Sequence, residues 1–286
     1  MTISVQDIIT AVVHQALTED ISDIGDITSL ALFSPDELAT AILRGKSVGV
    51  LSGCALLNPI FSRCDSRCRL TLNCCDGDSF QPGTIIAEIH GPICGILSGE
   101  RTALNFLQRL SGIATMTARY ANAIAHTHCR LLDTRKTTPT LRYFEKEAVV
   151  HGGGCNHRFG LFDMILIKDT HVKRSGGVKT ALERAVFYRN NNNSNLKIEV
   201  EVQTIDEFHS AINGGPDRIM LDNMSLDEMR TCVVHRDNIK SAIELEASGN
   251  ITIDTIAAVA ETGVDFISVG ALTHSAPALD IHLLIQ

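Results

Sequence analysis

Residues 198–270 read IEVEVQTIDEFHSAINGGPDRIMLDNMSLDEMRTCVVHRDNIKSAIELEASGNITIDTIAAVAETGVDFISVG. Short apolar segments recur there every twenty-odd residues, at Ile198–Val202, Arg218–Leu221, Ala242–Leu245 and Phe266–Val269. That interval fits one strand, loop, helix and loop, so the stretch reads as consecutive βα units that build a parallel sheet. Two earlier segments, Leu131-Leu132 and Met164–Ile167, share the texture. Either a parallel α/β barrel or an open doubly wound sheet would satisfy this pattern. The segment ends favour the barrel, because nearly all run into polar residues: Asp133-Thr134-Arg135-Lys136, Lys168-Asp169, Glu201, Asp222-Asn223, Glu246-Ala247-Ser248 and Gly270. Barrels assemble a site from many strand ends at one face, whereas an open sheet binds mainly at one switch point.

Upstream the texture differs. A helical opening, Val5–Leu17, is followed by alternating segments at Ala39–Val50, Leu70–Cys74 and Ile85–Ile89, with turn signals at Asp76-Gly77 and Pro82-Gly83. This predicts a small α+β domain. Leu97, Leu104, Leu107 and Leu110 then fall at helical spacing and predict a helix leading into the barrel. The Asn190–Asn193 tract reads as a polar loop.

With 286 residues, 44% of them hydrophobic, the chain has enough apolar material for one large core or two moderate ones. No apolar run reaches the about 18 to 20 residues a membrane span needs, and the first fifteen residues lack the pattern of a secretory leader. The expectation is a cytoplasmic protein. A net charge of −8 without a Lys/Arg block argues against nucleic acid or an anionic membrane as partner. Any anion must then be gripped by a local cluster. Nine cysteines include Cys64, Cys68, Cys74 and Cys75, which raise a zinc reading; without a CxxC pair or a nearby histidine, small buried hydrophobes are the better reading.

The strand ends gather two kinds of charge: a basic set of Arg135, Lys136, His157, Arg158 and Lys168, and an acidic set of Glu201 and Asp222 with Glu246 as a further candidate. Cations of this kind grip carboxylates or phosphates by charge-assisted hydrogen bonds, while carboxylates hold hydroxyls or Mg²⁺. The combination suits an anionic, polyhydroxylated, metal-carrying substrate such as a sugar phosphate. Ser248-Gly249-Asn250 and Gly270-Ala271 end the last two strands, where barrels often bind phosphate through backbone N–H groups. His151-Gly152-Gly153-Gly154 reads as a loop of close backbone approach.

These residues resemble a known family. Thr134-Arg135-Lys136-Thr137-Thr138-Pro139, Gly152-Gly153-Gly154 with Asn156-His157-Arg158, Leu166-Ile167-Lys168-Asp169, Glu199-Val200-Glu201, Leu221-Asp222-Asn223, Glu246-Ala247-Ser248-Gly249-Asn250 and Ser268-Val269-Gly270-Ala271-Leu272 are similar to the quinolinate phosphoribosyltransferases. The match starts near Glu19-Asp20 and Gly25-Asp26-Ile27-Thr28, includes Ser98–Asn105 and ends near Leu279-Asp280. The resemblance implies an N-terminal α/β sandwich domain over residues 1–110, with the tail 275–286 packing back on it, and an incomplete parallel α/β barrel over 111–274. It implies phosphoribosyl transfer from phosphoribosyl pyrophosphate (PRPP) to quinolinate with decarboxylation, giving nicotinate mononucleotide, pyrophosphate and CO₂ in de novo NAD synthesis. Mg²⁺ would travel with PRPP near Glu201 and Asp222, and no tightly bound organic cofactor is implied. A homodimer, or a larger assembly built from it, would let Arg101 reach the neighbouring active site. Arg101, Arg135, His157, Arg158 and Lys168 would then line the quinolinate pocket. Lys136, Glu201, Asp222, Ser248, Gly249, Gly270 and His274 would hold PRPP. Lys168, Glu201 and Asp222 are the implied catalytic residues, with Lys168 a candidate to protonate the decarboxylated ring.

Some positions depart from the family pattern: Thr140 stands where Gly is usual, Tyr143-Phe144 and Glu147 are unusual in the helix that follows, and Thr170 replaces Asn before His171. A β-branched residue tolerates positive φ poorly, so Thr140 predicts strain after Arg135-Lys136. Two rival readings share the barrel: a sister group associated with molybdenum transport, and a non-catalytic ligand binder. Ile167-Lys168-Asp169 and Asn156-His157-Arg158 favour the quinolinate enzyme over the first. The retention of both charge sets argues against the second.

Overall fold

Ser4 starts the first helix, α1 (Val5–Ile21), through a capping box: its hydroxyl accepts the Asp7 N–H at 3.1 Å while the Asp7 carboxylate accepts the Ser4 N–H at 3.3 Å. The buried positions Ile9, Val12, Val13 and Leu17 form one apolar stripe along it. The remaining elements, in a computed structural model that describes residues 4–192 and 195–286, are α2 (Ile27–Leu32), β1 (Leu38–Gly45), β2 (Gly49–Val50), α3 (Cys54–Cys64), β3 (Arg69–Leu72), β4 (Ser79–Phe80), β5 (Ile85–Pro92), α4 (Ile93–Ala123), β6 (Arg130–Leu132), α5 (Arg142–His151), β7 (Met164–Ile167), α6 (Asp169–Ser175), α7 (Val178–Asn191), β8 (Lys197–Val202), α8 (Ile205–Ile212), β9 (Arg218–Asp222), α9 (Leu226–Asn238), β10 (Glu244–Ser248), α10 (Ile256–Ala260), β11 (Phe266–Ser268), α11 (Ala271–His274) and β12 (Ile281–Ile285).

The chain forms two compact units. The first unit comprises 1–118, 137–153 and 273–286; the second comprises 119–136 and 154–272. Helix α4 runs without a break through residue 110, so the border falls inside it. Segment 137–153 joins the first unit through Glu145. Its carboxylate, wholly buried, accepts the Thr138 N–H at 3.0 Å and hydroxyl at 2.8 Å and pairs with Arg109 at 3.0 Å.

In the first unit an antiparallel sheet has the order β12-β1-β5-β3, and β12 pairs with β1 from Ala41↔Ile285 to Gly45↔Ile281. A two-stranded sheet joins β2 and β4. Helix α3 buries Leu56, Leu57, Ile60 and Phe61 and packs on β3 and α1. The Gly loop makes the expected close approach: a Cβ at Gly152 would lie 2.3 Å from the Ala114 carbonyl oxygen.

In the second unit six strands, all parallel, follow the order β6-β11-β10-β9-β8-β7. β6 and β7 occupy the two ends of that order, so this is the incomplete α/β barrel. Ile198, Val200, Val202, Ile219, Leu221, Leu245, Ala247 and Ile267 are wholly buried on one face of the strands. Each fully buried aliphatic side chain contributes about 1.5–3 kcal/mol. Two elements shift from their expected places. β10 begins two residues later than Ala242, at Glu244, where its register with Arg218 begins. Asn190 and Asn191 are the last turn of α7 rather than a loop, and Asn193 lies outside the described residues.

The four cysteines of the zinc reading form no metal-ligand group among the described residues. Of the four, Cys68 is buried, Cys64 and Cys74 are half-buried and Cys75 is exposed, and burial pushes the Cys64 thiol up to about 11.

Thr140 adopts φ +70°, the left-handed conformation that suits the Gly usual at this place in the family. That conformation costs an L-residue about 1–2 kcal/mol, partly offset by the freedom Gly gains when unfolded. Thr140→Gly should therefore raise the urea midpoint, by an amount equivalent to about 0.5–1 kcal/mol. An unchanged or lower midpoint would show that the loop is unstrained.

Candidate active site

Successive side chains of a strand point to opposite faces. In the barrel this sends Leu166, Glu201, Met220, Asp222, Ser248 and Ser268 to the inner face, opposite the aliphatic layer. With Lys168 they line a cavity of about 180 Å³ at the strand ends. The wall is completed by Thr134, Arg135 and Lys136 after β6 and by His157 and Arg158 before β7. Eight residues expected at the site therefore meet there: Arg135, Lys136, His157, Arg158, Lys168, Glu201, Asp222 and Ser248. The cavity wall does not include Gly249, Gly270, Arg101 or His274. Gly249 and Gly270 lie just after β10 and β11, while Arg101 is exposed on α4 and His274 ends α11, both in the first unit.

Arg158 is only 8% exposed. Burial and the charge of Arg135 lower its pKa from 12.5, and Glu199, Asp163 and Glu201 oppose them. One terminal nitrogen donates to the Met164 carbonyl at 3.3 Å. The Nε atoms of Arg135 and Arg158 are buried and meet no hydrogen-bond partner among the described residues. A buried guanidinium donor without an acceptor is costly, so these groups call for an anionic ligand.

The acidic side is held differently. The Asp169 N–H donates to Glu201 Oε2 at 3.3 Å; burial raises the Glu201 pKa, opposed by that N–H and by the Lys168 charge. Asp222 accepts from Gln203 Nε2 at 3.2 Å and from Asn223 Nδ2 at 3.1 Å. Asn250 Nδ2 donates to Asn223 Oδ1 at 3.0 Å, and a Cβ at Gly249 would lie 2.3 Å from that same oxygen. Gly249, at φ +101°, thus lets the ends of β9 and β10 close together.

Glu246 does not belong to the rim. It is wholly buried below it, with its carboxylate 2.8 Å from Arg218 Nη1 and 3.5 Å from His157 Nε2. Glu199, equally buried, lies 2.9 Å from His157 Nε2. His157 Nδ1 accepts the Arg158 N–H at 2.7 Å, so both ring nitrogens are engaged by the protein. The sequence reading missed Glu199, Arg218, Thr134, Leu166, Met220 and Ser268. Strand alternation could have found several: Glu199, Met220 and Leu166 each stand two residues before an expected site residue.

A larger cavity, about 370 Å³, lies within the first unit between α1, α4 and Thr138–Leu141. Its one arginine, Arg109, is committed to Glu145 and to the Ala276 carbonyl, so no cation there is left for an anion.

The quinolinate phosphoribosyltransferase N-terminal domain matches residues 26–111, and its C-terminal domain matches residues 113–284. This chain belongs to the quinolinate phosphoribosyltransferase family. A quinolinate phosphoribosyltransferase (decarboxylating) 1b of Nicotiana tabacum is 42% identical over 96% of this chain and 81% of its own length. The nicotinate-nucleotide pyrophosphorylase of Francisella tularensis superposes with a TM-score of 0.92 at 39% identity, over 99% of this chain and 98% of its own. That of Ehrlichia chaffeensis gives a TM-score of 0.90 at 32% identity, with 100% of both chains covered. Arg135, Arg158, Lys168, Glu201 and Asp222 thus share one cavity at the strand ends.

Replacing Gly249 by Ala would force a β-carbon into the Asn223 amide at a φ that L-residues rarely adopt. The variant should lose about 1–3 kcal/mol of stability in chemical denaturation. An unchanged midpoint would mean that the β9 and β10 ends relax freely.

Proposed function

We propose that this chain transfers the phosphoribosyl group of PRPP to quinolinate and releases pyrophosphate and CO₂, forming nicotinate mononucleotide for NAD biosynthesis. The observation that carries this reading is that Arg135 and Arg158, whose buried Nε donors meet no acceptor among the described residues, line the same cavity as Glu201 and Asp222. A pyridine with two adjacent carboxylates supplies acceptors for both guanidinium groups in the planar geometry Arg prefers. Lys168 adds a third cation to that half.

Glu201 and Asp222 hold the ribose hydroxyls and favour the positive charge that grows on C1′ as the bond to pyrophosphate breaks. The ring nitrogen lone pair forms the new bond to C1′. Positioning and preorganised charge supply most of the acceleration, since the substrate provides its own nucleophile. The positive charge on the quaternised ring nitrogen then stabilises the electron pair that stays on C2 as CO₂ departs, so the chemistry needs no organic cofactor. Lys168 delivers a proton to that carbon.

Lys136, Ser248, Gly249, Gly270 and His274 bind the phosphates of the donor. Mg²⁺ travels with the pyrophosphate. The two carboxylates fit such an ion because they are hard, incompletely buried oxygen donors, and Mg²⁺ commonly combines one or two carboxylates with substrate phosphates. When bound, it neutralises the leaving group. We further assign a cytoplasmic homodimer in which the exposed Arg101 of each subunit completes the acceptor pocket of the other. Among the described residues no helix is long and apolar enough to cross a membrane.

The test is turnover with quinolinate, PRPP and Mg²⁺, followed by chromatography of nicotinate mononucleotide, with nicotinate as competing acceptor. Product should come from quinolinate alone. Arg158→Ala should reduce kcat/KM for quinolinate by at least about tenfold, the value of one charged hydrogen bond. Equal use of nicotinate, or full activity of the variant, would contradict the assignment.

A further inference from the structure

Below the cavity the barrel interior holds four ionisable side chains that the reaction does not use directly. Glu199 and Glu246 are wholly buried, Arg218 is 7% exposed and the His157 side chain 6% exposed. Arg218 Nη1 meets Glu246 at 2.8 Å, Nη2 meets Glu244 at 3.0 Å, and the guanidinium lies 3.9 Å from the Phe266 ring centre. The two carboxylates are therefore bracketed, by Arg218 on one side and the imidazole on the other. Buried charge of this kind contributes little to stability compared with apolar side chains of equal size, so a role other than stability is the better explanation of its presence.

The imidazole is the member of this set that reaches the cavity wall. Its Nδ1 accepts the Arg158 N–H at 2.7 Å, which leaves Nε2 to carry the ring proton, 2.9 Å from Glu199. The backbone N–H of His157 donates to Asp133 Oδ1 at 2.8 Å. Three contacts thus hold His157 on three sides, and one of them is made by the main chain of Arg158. Turning the ring would release that N–H and shift the residue that presents a guanidinium to the cavity.

We propose that Glu199 is a positioning residue for the acceptor pocket: through the Nε2 proton it locks the His157 ring, and through the ring it fixes the main chain that aims Arg158. The inference rests on the acceptor being an anion held by Arg158. Glu246, paired with Arg218, secures the other flank of the ring. The same three groups, His157, Glu199 and Glu246, have ligand atoms close enough for a metal ion, but Arg218 already supplies the positive charge.

The test compares wild type, Glu199→Gln, His157→Asn and the double variant in steady-state kinetics. Wild-type turnover of quinolinate is established first, so that failure of the assignment is separate from failure of this inference. Glu199→Gln should raise KM for quinolinate by about tenfold while KM for PRPP changes by less than about twofold, a split that general loosening of the barrel would not produce. On the His157→Asn background the same substitution should add less than about twofold, because its route is already cut. Additive effects, or equal changes in both KM values, would overturn the proposal. Should Glu199→Gln fail to fold, ¹⁵N shifts of the wild-type histidines decide. His157, identified by its loss in His157→Asn, must carry its proton on Nε2 with Nδ1 bare; the opposite tautomer overturns the proposal.

Discussion

A strand turns successive side chains to opposite faces, and the six parallel strands of the barrel apply that constraint in register. One face carries Ile198, Val200, Ile219, Leu221, Leu245 and Ile267 into an apolar layer that holds the unit together. The other face has no choice but to carry the residues between them. The register sets Glu199 beside Arg218 and Glu244, Glu201 beside Met220 and Glu246, and Asp222 beside Ser248. The first tiers settle into a closed ion network and the last opens at the strand ends as the cavity. Fold and site are thus two sides of the same alternation, and a slip of one residue would exchange them.

Charge in this interior follows two rules. Deep in the barrel each carboxylate has a partner: Glu246 has Arg218, and Glu199 has His157 Nε2. At the mouth the pairing stops. Arg135 and Arg158 retain donors without acceptors, and Glu201 keeps a carboxylate that burial disfavours as an anion. That imbalance is the chemical content of the site, because a ligand bearing carboxylates, hydroxyls and phosphates restores what the protein leaves unmatched.

The strand positions were legible because apolar runs of four or five residues bounded by charge are strong signals; Met164–Ile167 coincides with β7. The polar ends named most of the cavity wall for the same reason. The limit came where charge lies inside rather than at the end of a strand. Glu246 read as the close of a segment, whereas Arg218 makes it tolerable within β10. Sequence also could not show that His157 turns both nitrogens to the protein, since that depends on Glu199 and on the Arg158 main chain. Nor could it show that 137–153 belongs with the first unit, which rests on Glu145 reaching Arg109 across thirty-six positions. Thr140 was the reverse case: a residue type at odds with its neighbours pointed to the positive φ that the chain adopts.

The central claim is that Arg135 and Arg158 each await one carboxylate of the same small ring. Calorimetric titration with pyridine-2,3-dicarboxylate, set against pyridine-2-carboxylate and pyridine-3-carboxylate, tests it directly. Two charge-assisted contacts predict binding of the dicarboxylate at least about tenfold tighter than either analogue. Equal affinity for all three ligands would contradict the account.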